Sequence, residues 1–101
     1  MSPALTPAQI RFLRGQAHDL KPLLQLGAKG LTPAFVAELS AGLEQHELVK
    51  VKVTGEDREA RDAVVAELIA GTDSTLVQRI GHVAILYRPS QDKRRIVLPR
   101  A

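Results

Sequence analysis

The sequence of 101 residues contains no cysteine, which excludes disulfides, thiolate zinc sites, iron–sulfur clusters and cysteine nucleophiles. It also has no apolar run approaching the roughly 18 residues that a membrane-spanning helix needs. Its first residues lack the basic segment followed by an apolar segment that marks a secretory signal. These absences favour a soluble protein of the reducing cytoplasm, with no membrane association.

Enzyme motifs are missing as well. The three histidines are far apart in sequence, and none of them lies in an H-E-x-x-H or comparable metal-ligand spacing. No G-x-S-x-G nucleophile motif and no Walker glycine loop occurs. We therefore expect no catalytic residue, no metal, no cofactor and no small-molecule substrate. The remaining enzymatic alternative is a hydrolase whose site only the fold brings together.

Charge is distributed unevenly along the chain, although the net charge is only +3. Residues 1–30 carry a net charge of +3, residues 31–73 of −5, and residues 74–101 of +5. Basic ends around an acidic middle favour an oriented surface for a polyanion, and ordinary surface charge is the alternative. The acidic middle includes a cluster at the start of the third predicted helix, where carboxylates complement the helix dipole. This cluster consists of Glu56, Asp57, Glu59 and Asp62.

A chain of this length corresponds to one domain, and its apolar periodicity predicts three helices. Thr6-Pro7 and Thr32-Pro33 each supply a hydroxyl cap followed by proline at the first helical position. Asp57 can cap the third helix, and Gly71 is the expected C-terminal stop. The helices are expected over about residues 7–17, 33–46 and 57–70.

Four strands are predicted from apolar and alternating runs. Leu48–Val53 alternates with period two, so that its valines share one face and its lysines the other. Gly81-His82 separates the last two runs and suits a hairpin connection. The four runs are Leu23–Leu26, Leu48–Val53, Thr75–Ile80 and Val83–Arg88.

The order α-β-α-β-α-β-β predicts a single α/β domain with a four-stranded mixed sheet. Strands joined through helices are expected to be parallel, and the last two strands antiparallel. Residues 90–101 are expected to form a basic C-terminal tail, although Ile96-Val97-Leu98 could dock on the domain.

The sharpest candidate site is Gly27-Ala28-Lys29-Gly30, between the first strand and the second helix. Two glycines three residues apart let the backbone approach a ligand closely, and Lys29 adds a mobile cation. The following helix start presents unpaired N–H groups, an arrangement that cradles phosphate. The alternative is a strand-to-helix turn that needs glycine for its geometry only.

Further cations are candidates for contact with a phosphate backbone. Arg11, Arg14 and His18 recur on one face of the first helix, next to its apolar stripe. With three aromatic residues in the chain, phosphate contacts should outweigh base stacking. The other candidates are Lys21, Lys50, Lys52, Arg88, Lys93, Arg94 and Arg95.

Nearly the whole chain resembles a known family. The resemblance spans about residues 5–100, and it is to the CRM-domain RNA-binding proteins, specifically the small bacterial stand-alone YhbY family. The runs that carry it are A-H-D-L-K-P-L-L-Q-L-G-A-K-G-L-T, Q-H-E-L-V-K-V-K-V, E-D-R-E, V-Q-R-I-G-H-V-A-I-L-Y-R-P and the terminal L-P-R.

The resemblance implies an α/β fold similar to the C-terminal domain of bacterial initiation factor three, with Gly27–Gly30 at the family's G-x-x-G loop. It also implies a non-catalytic role in which the partner is RNA, namely rRNA in precursors of the large ribosomal subunit. We expect the protein to be a monomer. His82 departs from the family pattern, because relatives commonly have lysine there and histidine is largely neutral near pH 7. The alternative function is a protein-interaction adaptor that uses the acidic third helix.

Overall fold

The computed structural model describes residues 5–26, 31–53, 57–92 and 96–99. The predicted order of elements is confirmed, with three helices and four strands in these ranges. Within them, none of the helices has the length and apolar character needed to cross a membrane. The elements are α1 Pro7–Ala17, β1 Pro22–Gln25, α2 Pro33–His46, β2 Leu48–Lys52, α3 Arg58–Thr72, β3 Thr75–Ile80 and β4 Val83–Tyr87.

The first two helices begin as their hydroxyl–proline pairs predict. The Thr6 hydroxyl accepts a hydrogen bond from the Gln9 N–H at 3.2 Å, and the Gln9 side chain accepts one from the Thr6 N–H at 3.1 Å. The Thr32 hydroxyl accepts from the Phe35 N–H at 3.1 Å. These bonds satisfy backbone donors that a helix start otherwise leaves without partners.

The third helix starts as predicted but ends later. The Asp57 carboxylate accepts from the Ala60 N–H at 2.8 Å and caps the helix start. Gly71, the expected stop, lies inside α3, and Asp73 is the residue that turns out of the helix, with φ of 55°. Aspartate tolerates this left-handed conformation better than most residues, so no glycine is required there.

The sheet is mixed, with the strand order β1-β2-β4-β3. β1 pairs parallel to β2, and β4 pairs antiparallel to both β2 and β3. The parallel arrangement expected for strands joined through a helix is thus confirmed for β1 and β2, which are neighbours in the sheet. β2 and β3 also run in the same direction, but β4 lies between them and bonds to both.

Helices cover both faces of this sheet. α2 and α3 pack on one face, where the odd-numbered valines of β2, Val49, Val51 and Val53, are buried with Leu39 and Leu68. α1 packs on the other face through its apolar stripe. The cluster on the α1 face contains Leu13, Ala17, Leu48, Val77, Ile85 and Tyr87.

The segment after β4 is docked on the domain over its described residues, 90–92 and 96–99. Ser90 is fully buried, and Ile96 and Leu98 pack against the cluster beneath α1, whereas Val97 is 85% exposed. The Gln9 side chain donates to the Pro99 carbonyl at 3.1 Å. These described residues therefore lie against the domain, and docking, the alternative given for Ile96-Val97-Leu98, describes Ile96 and Leu98.

Two glutamates at the end of α2 hold this segment. The fully buried carboxylate of Glu47 accepts from the N–H groups of Ser90 and Ile96, each at 2.8 Å. Glu44 accepts from the Ser90 hydroxyl at 2.6 Å and from the Gln91 N–H at 3.1 Å. No local sequence pattern predicts this role, because the groups that the two carboxylates bind lie more than 40 residues later in the chain.

Candidate nucleic-acid interface

A basic groove runs between α1 and the edge of the sheet. One wall is lined by the exposed side chains of Arg11 and Arg14 on α1 and of His18, which directly follows this helix. Gln78 and Ile80 of β3 line the other, and the volume between the walls is about 650 Å³. Gly15 and Asp19 complete the lining of this feature, which we call the α1/β3 groove.

Local periodicity explains why the two arginines and His18 share the groove. Leu13 and Ala17 are fully buried against the sheet, which fixes the rotation of α1 about its axis. Residues 11, 14 and 18 follow one another at helical spacing, so they lie together on an adjacent face. The structure thus brings Arg11, Arg14 and His18 together as the sequence predicted.

Lys50 and Lys52 lie on the same face of the sheet as α1. They alternate with the buried valines of β2 and so share the side of Leu48, which packs beneath α1. The Lys50 ammonium donates to the His18 carbonyl at 3.4 Å, so this cation reaches the end of α1. Lys21 is exposed and lines a cleft together with Lys50.

Lys52 also adjoins the start of the predicted phosphate loop. Its carbonyl accepts a hydrogen bond from the Leu26 N–H at 2.9 Å, and Leu26 directly precedes Gly27. The loop itself, Gly27, Ala28, Lys29 and Gly30, lies outside the described residues, as do Lys93, Arg94 and Arg95.

Arg88 is not brought to this face. Its guanidinium donates to the Ser40 hydroxyl at 3.0 Å, to the Ser40 carbonyl at 2.7 Å and to the Thr72 carbonyl at 2.8 Å. These acceptors lie at α2 and at the end of α3, so the side chain joins two helices on the far face of the sheet. We therefore leave Arg88 out of the candidate interface. Tyr87 is 3% exposed and packs in the core beneath α1.

The charges of the two faces differ. α1 carries two arginines and no acidic residue, whereas α2 on the opposite face carries two glutamates and neither lysine nor arginine. In α3, Asp62 forms a 2.6 Å ion pair with Arg79 and Asp57 caps the helix, so these two carboxylates have structural partners. The two faces thus differ in charge, because the helix on the α1 face is purely basic, whereas α2 on the other face is acidic and α3 carries charges of both signs.

A second concavity, which we call the apolar cleft, lies where β1 and β2 begin. Its volume is about 340 Å³. The sequence reasoning missed it, because its walls come from the ends of α1 and α2, two strand starts and the docked C-terminal segment. The lining residues are Gln16, Leu20, Lys21, Leu23, His46, Leu48, Val49, Lys50 and Ile96.

Comparison with known proteins decides the family. Residues 5–88 match the model of the CRS1 / YhbY (CRM) domain. The chain belongs to this family. The resemblance noted from the sequence motifs is thereby confirmed.

Two curated relatives of this CRM-domain chain match it over almost their whole length. An "RNA-binding protein" of Haemophilus influenzae is 45% identical over 96 residues, which is 95% of this chain and 96% of the relative. The "Probable RNA-binding protein YqeI" of Bacillus subtilis is 39% identical over 95 residues, covering 94% of this chain and 99% of the relative.

A solved structure confirms the fold class of the CRM-domain chain. The solution structure of a Staphylococcus aureus protein, described as a candidate RNA-binding protein, superposes with a TM-score of 0.81 at 34% sequence identity. The match covers 95% of this chain and 100% of the other. The single α/β domain with three helices and a mixed four-stranded sheet is thus a known arrangement.

Proposed function

We propose that this protein binds RNA through the α1 face of its sheet and that it acts without catalysing a reaction. The observation that carries the proposal is a row of basic side chains on one face of a domain whose opposite helices are more acidic, namely Arg11, Arg14, His18 and Lys50. Such a face attracts a polyanion and orients it, because phosphate contacts position a nucleic acid without reading its sequence. The names of the relatives support RNA as the polyanion.

The Gly27–Gly30 loop is the second element of the proposed interface. The loop follows β1 in sequence. The N–H of Leu26, the residue before the loop, donates a hydrogen bond to the carbonyl of Lys52, whose side chain lies on the α1 face. We propose that the loop backbone and Lys29 hold an RNA phosphate at this end of the sheet. Lys93, Arg94 and Arg95 are proposed to add affinity without sequence preference, because three adjacent cations suit phosphate neutralisation.

The proposed RNA is precursor rRNA of the large ribosomal subunit, and the proposed role is to assist assembly of that subunit in the cytoplasm as a monomer. This step rests on the role that the resemblance to the CRM-domain family implies. Crosslinking in cells, followed by sequencing of the attached RNA, tests it. We expect most of the crosslinked RNA to be large-subunit rRNA that still carries its precursor extensions. Crosslinks confined to messenger RNA, or no crosslinks, would contradict the proposal.

A salt titration separates RNA binding from the adaptor alternative. Affinity that depends on several phosphate contacts falls steeply as the ionic strength rises, whereas an apolar protein interface is much less sensitive. We expect the binding of a precursor rRNA transcript to weaken strongly between low and physiological salt concentration. If the transcript does not bind even at low salt, RNA binding is contradicted, and the acidic α3 becomes the better candidate surface, for a protein partner.

A further inference from the structure

The apolar cleft lies beside the proposed RNA path and has an unusual lining for a surface concavity. Leu20 and Leu23 contribute to it while remaining 39% and 44% exposed, and Ile96 closes one side. Leu23 packs partly over Gly42 of α2, but both leucines keep an exposed apolar surface toward the cleft, which is available to a ligand with an apolar surface.

The backbone of β1 explains how Leu23 reaches the cleft. Pro22 pairs with Lys50 and Leu24 with Val51, so two steps along β1 correspond to one step along β2. Leu23 is the extra residue of this irregularity. An extra residue in a strand redirects its side chain, and such irregularities occur often beside functional sites. Here the redirected side chain lines the cleft.

Cations stand around this apolar lining. These cations are Lys21 and Lys50, and the imidazole of His46 also lines the cleft. The ammonium group of Lys50 has three donors, and the hydrogen bond to the His18 carbonyl accounts for one of them. An apolar interior with positive charges at its rim complements a nucleotide, whose base is largely apolar on its faces and whose phosphate is an anion.

A hydrogen bond at the end of α1 links the lining of the cleft to the lining of the α1/β3 groove. His18 lines the groove, Lys50 lines the cleft, and the two residues are joined by the hydrogen bond described above. An RNA strand that follows the cations of α1 therefore arrives at Lys50 and at the mouth of the cleft.

We propose that the apolar cleft takes one unpaired base of the bound RNA, against Leu20 and Leu23, with the neighbouring phosphate on Lys21 and Lys50. This inference rests on the proposed function and specifies its substrate as RNA with at least one unpaired nucleotide. Bases inside a continuous duplex are stacked and paired, so only a single strand, a bulge or a loop can supply the base.

The experiment compares Leu20→Ser with Leu76→Ser against two probes, a fluorescein-labelled single-stranded RNA decamer and a blunt RNA duplex of twelve base pairs. Leu76 is a matched control, because it is 36% exposed against 39% for Leu20 but lies on β3 at the other edge of the sheet. Leu20→Ser should weaken binding of the single strand about fivefold and leave duplex binding unchanged. Leu76→Ser should leave the affinity for both RNAs unchanged. Thermal melting of both variants monitors the fold.

Methyl NMR of the unmodified protein gives a second, independent measurement. Addition of the decamer should shift the methyl resonances of Leu20, Leu23 and Ile96, and addition of the duplex should leave them in place. If the parent binds both RNAs but the cleft methyls do not move and Leu20→Ser binds normally, the cleft inference is overturned while the proposed function stands. If the parent binds neither RNA, the proposed function fails and the inference fails with it.

Discussion

Glu47→Gln should destabilise the domain, because the buried carboxylate holds the C-terminal segment against it. The two carboxylate oxygens accept from the backbone N–H groups of Ser90 and Ile96, each at 2.8 Å. Glutamine keeps one oxygen but replaces the other with an amino group, which cannot accept a hydrogen bond. One backbone N–H would then face another donor inside the protein.

The expected magnitude follows from the kind of bond that is lost. A hydrogen bond to a charged group contributes about 1.5–3 kcal/mol, and a buried donor left without an acceptor costs about 1–3 kcal/mol. We expect Glu47→Gln to lower the free energy of unfolding by about 2–4 kcal/mol. For a domain of this size the melting temperature should fall by roughly 10 °C or more.

Circular dichroism during heating and urea denaturation measure this change. Glu38→Gln is the matched control, because Glu38 is an exposed glutamate of the same helix and its replacement should stay within about 0.5 kcal/mol of the parent. Hydrogen exchange at the Ile96 N–H should accelerate in Glu47→Gln. If Glu47→Gln melts together with the parent, the carboxylate does not hold the segment and the argument is refuted.

Three further predictions concern acid stability, helix propensity and the loop. The Ser90 hydroxyl, with neighbouring backbone N–H groups, holds the pKa of Glu44 below its ordinary value of 4.5, so its stabilising effect is present above pH 4.5 and is lost as the pH falls through the lowered pKa. Urea titrations in this acid range should show that the free energy of unfolding falls less in Glu44→Gln than in the parent. An equal fall in both proteins would contradict this. Gly15→Ala should raise the free energy of unfolding by about 0.5–1 kcal/mol, because nothing lies within 4 Å of the added methyl group; a lower melting temperature would contradict this. Lys29→Ala should weaken RNA binding by about 1 kcal/mol with an unchanged melting temperature, and Gly30→Asp should weaken it far more; parental affinity in both folded variants would exclude the loop from the interface.

Local signals predicted the elements of this fold well, because the decisive interactions lie within a few residues. The Thr6 and Thr32 caps each bond to a backbone N–H three residues later. The rotation of α1 was predictable for the same reason, and with it the grouping of Arg11, Arg14 and His18. The end of α3 was missed, because Gly71 has a helical conformation and the left-handed turn falls on Asp73.

Features that depend on distant residues were not predictable from local patterns. The position of β4 between β2 and β3 is decided by how the whole sheet pairs. Arg88 looked like an exposed cation, but its acceptors at Ser40 and Thr72 lie 48 and 16 residues away. The docked C-terminal segment depends on glutamates more than 40 residues earlier.

The salt dependence of RNA binding by the double variant Arg11→Gln/Arg14→Gln tests the central claim most directly. The assay measures the affinity for a labelled transcript of precursor large-subunit rRNA at several salt concentrations, with Arg58→Gln as control. Arg58 is also an exposed helical arginine, with 82% of its side chain accessible, but it lies on α3. We predict weaker binding and a salt slope smaller by roughly one to two units for the double variant, with parental behaviour for Arg58→Gln. A double variant that is folded and keeps the parental affinity and slope would contradict the proposed interface on α1.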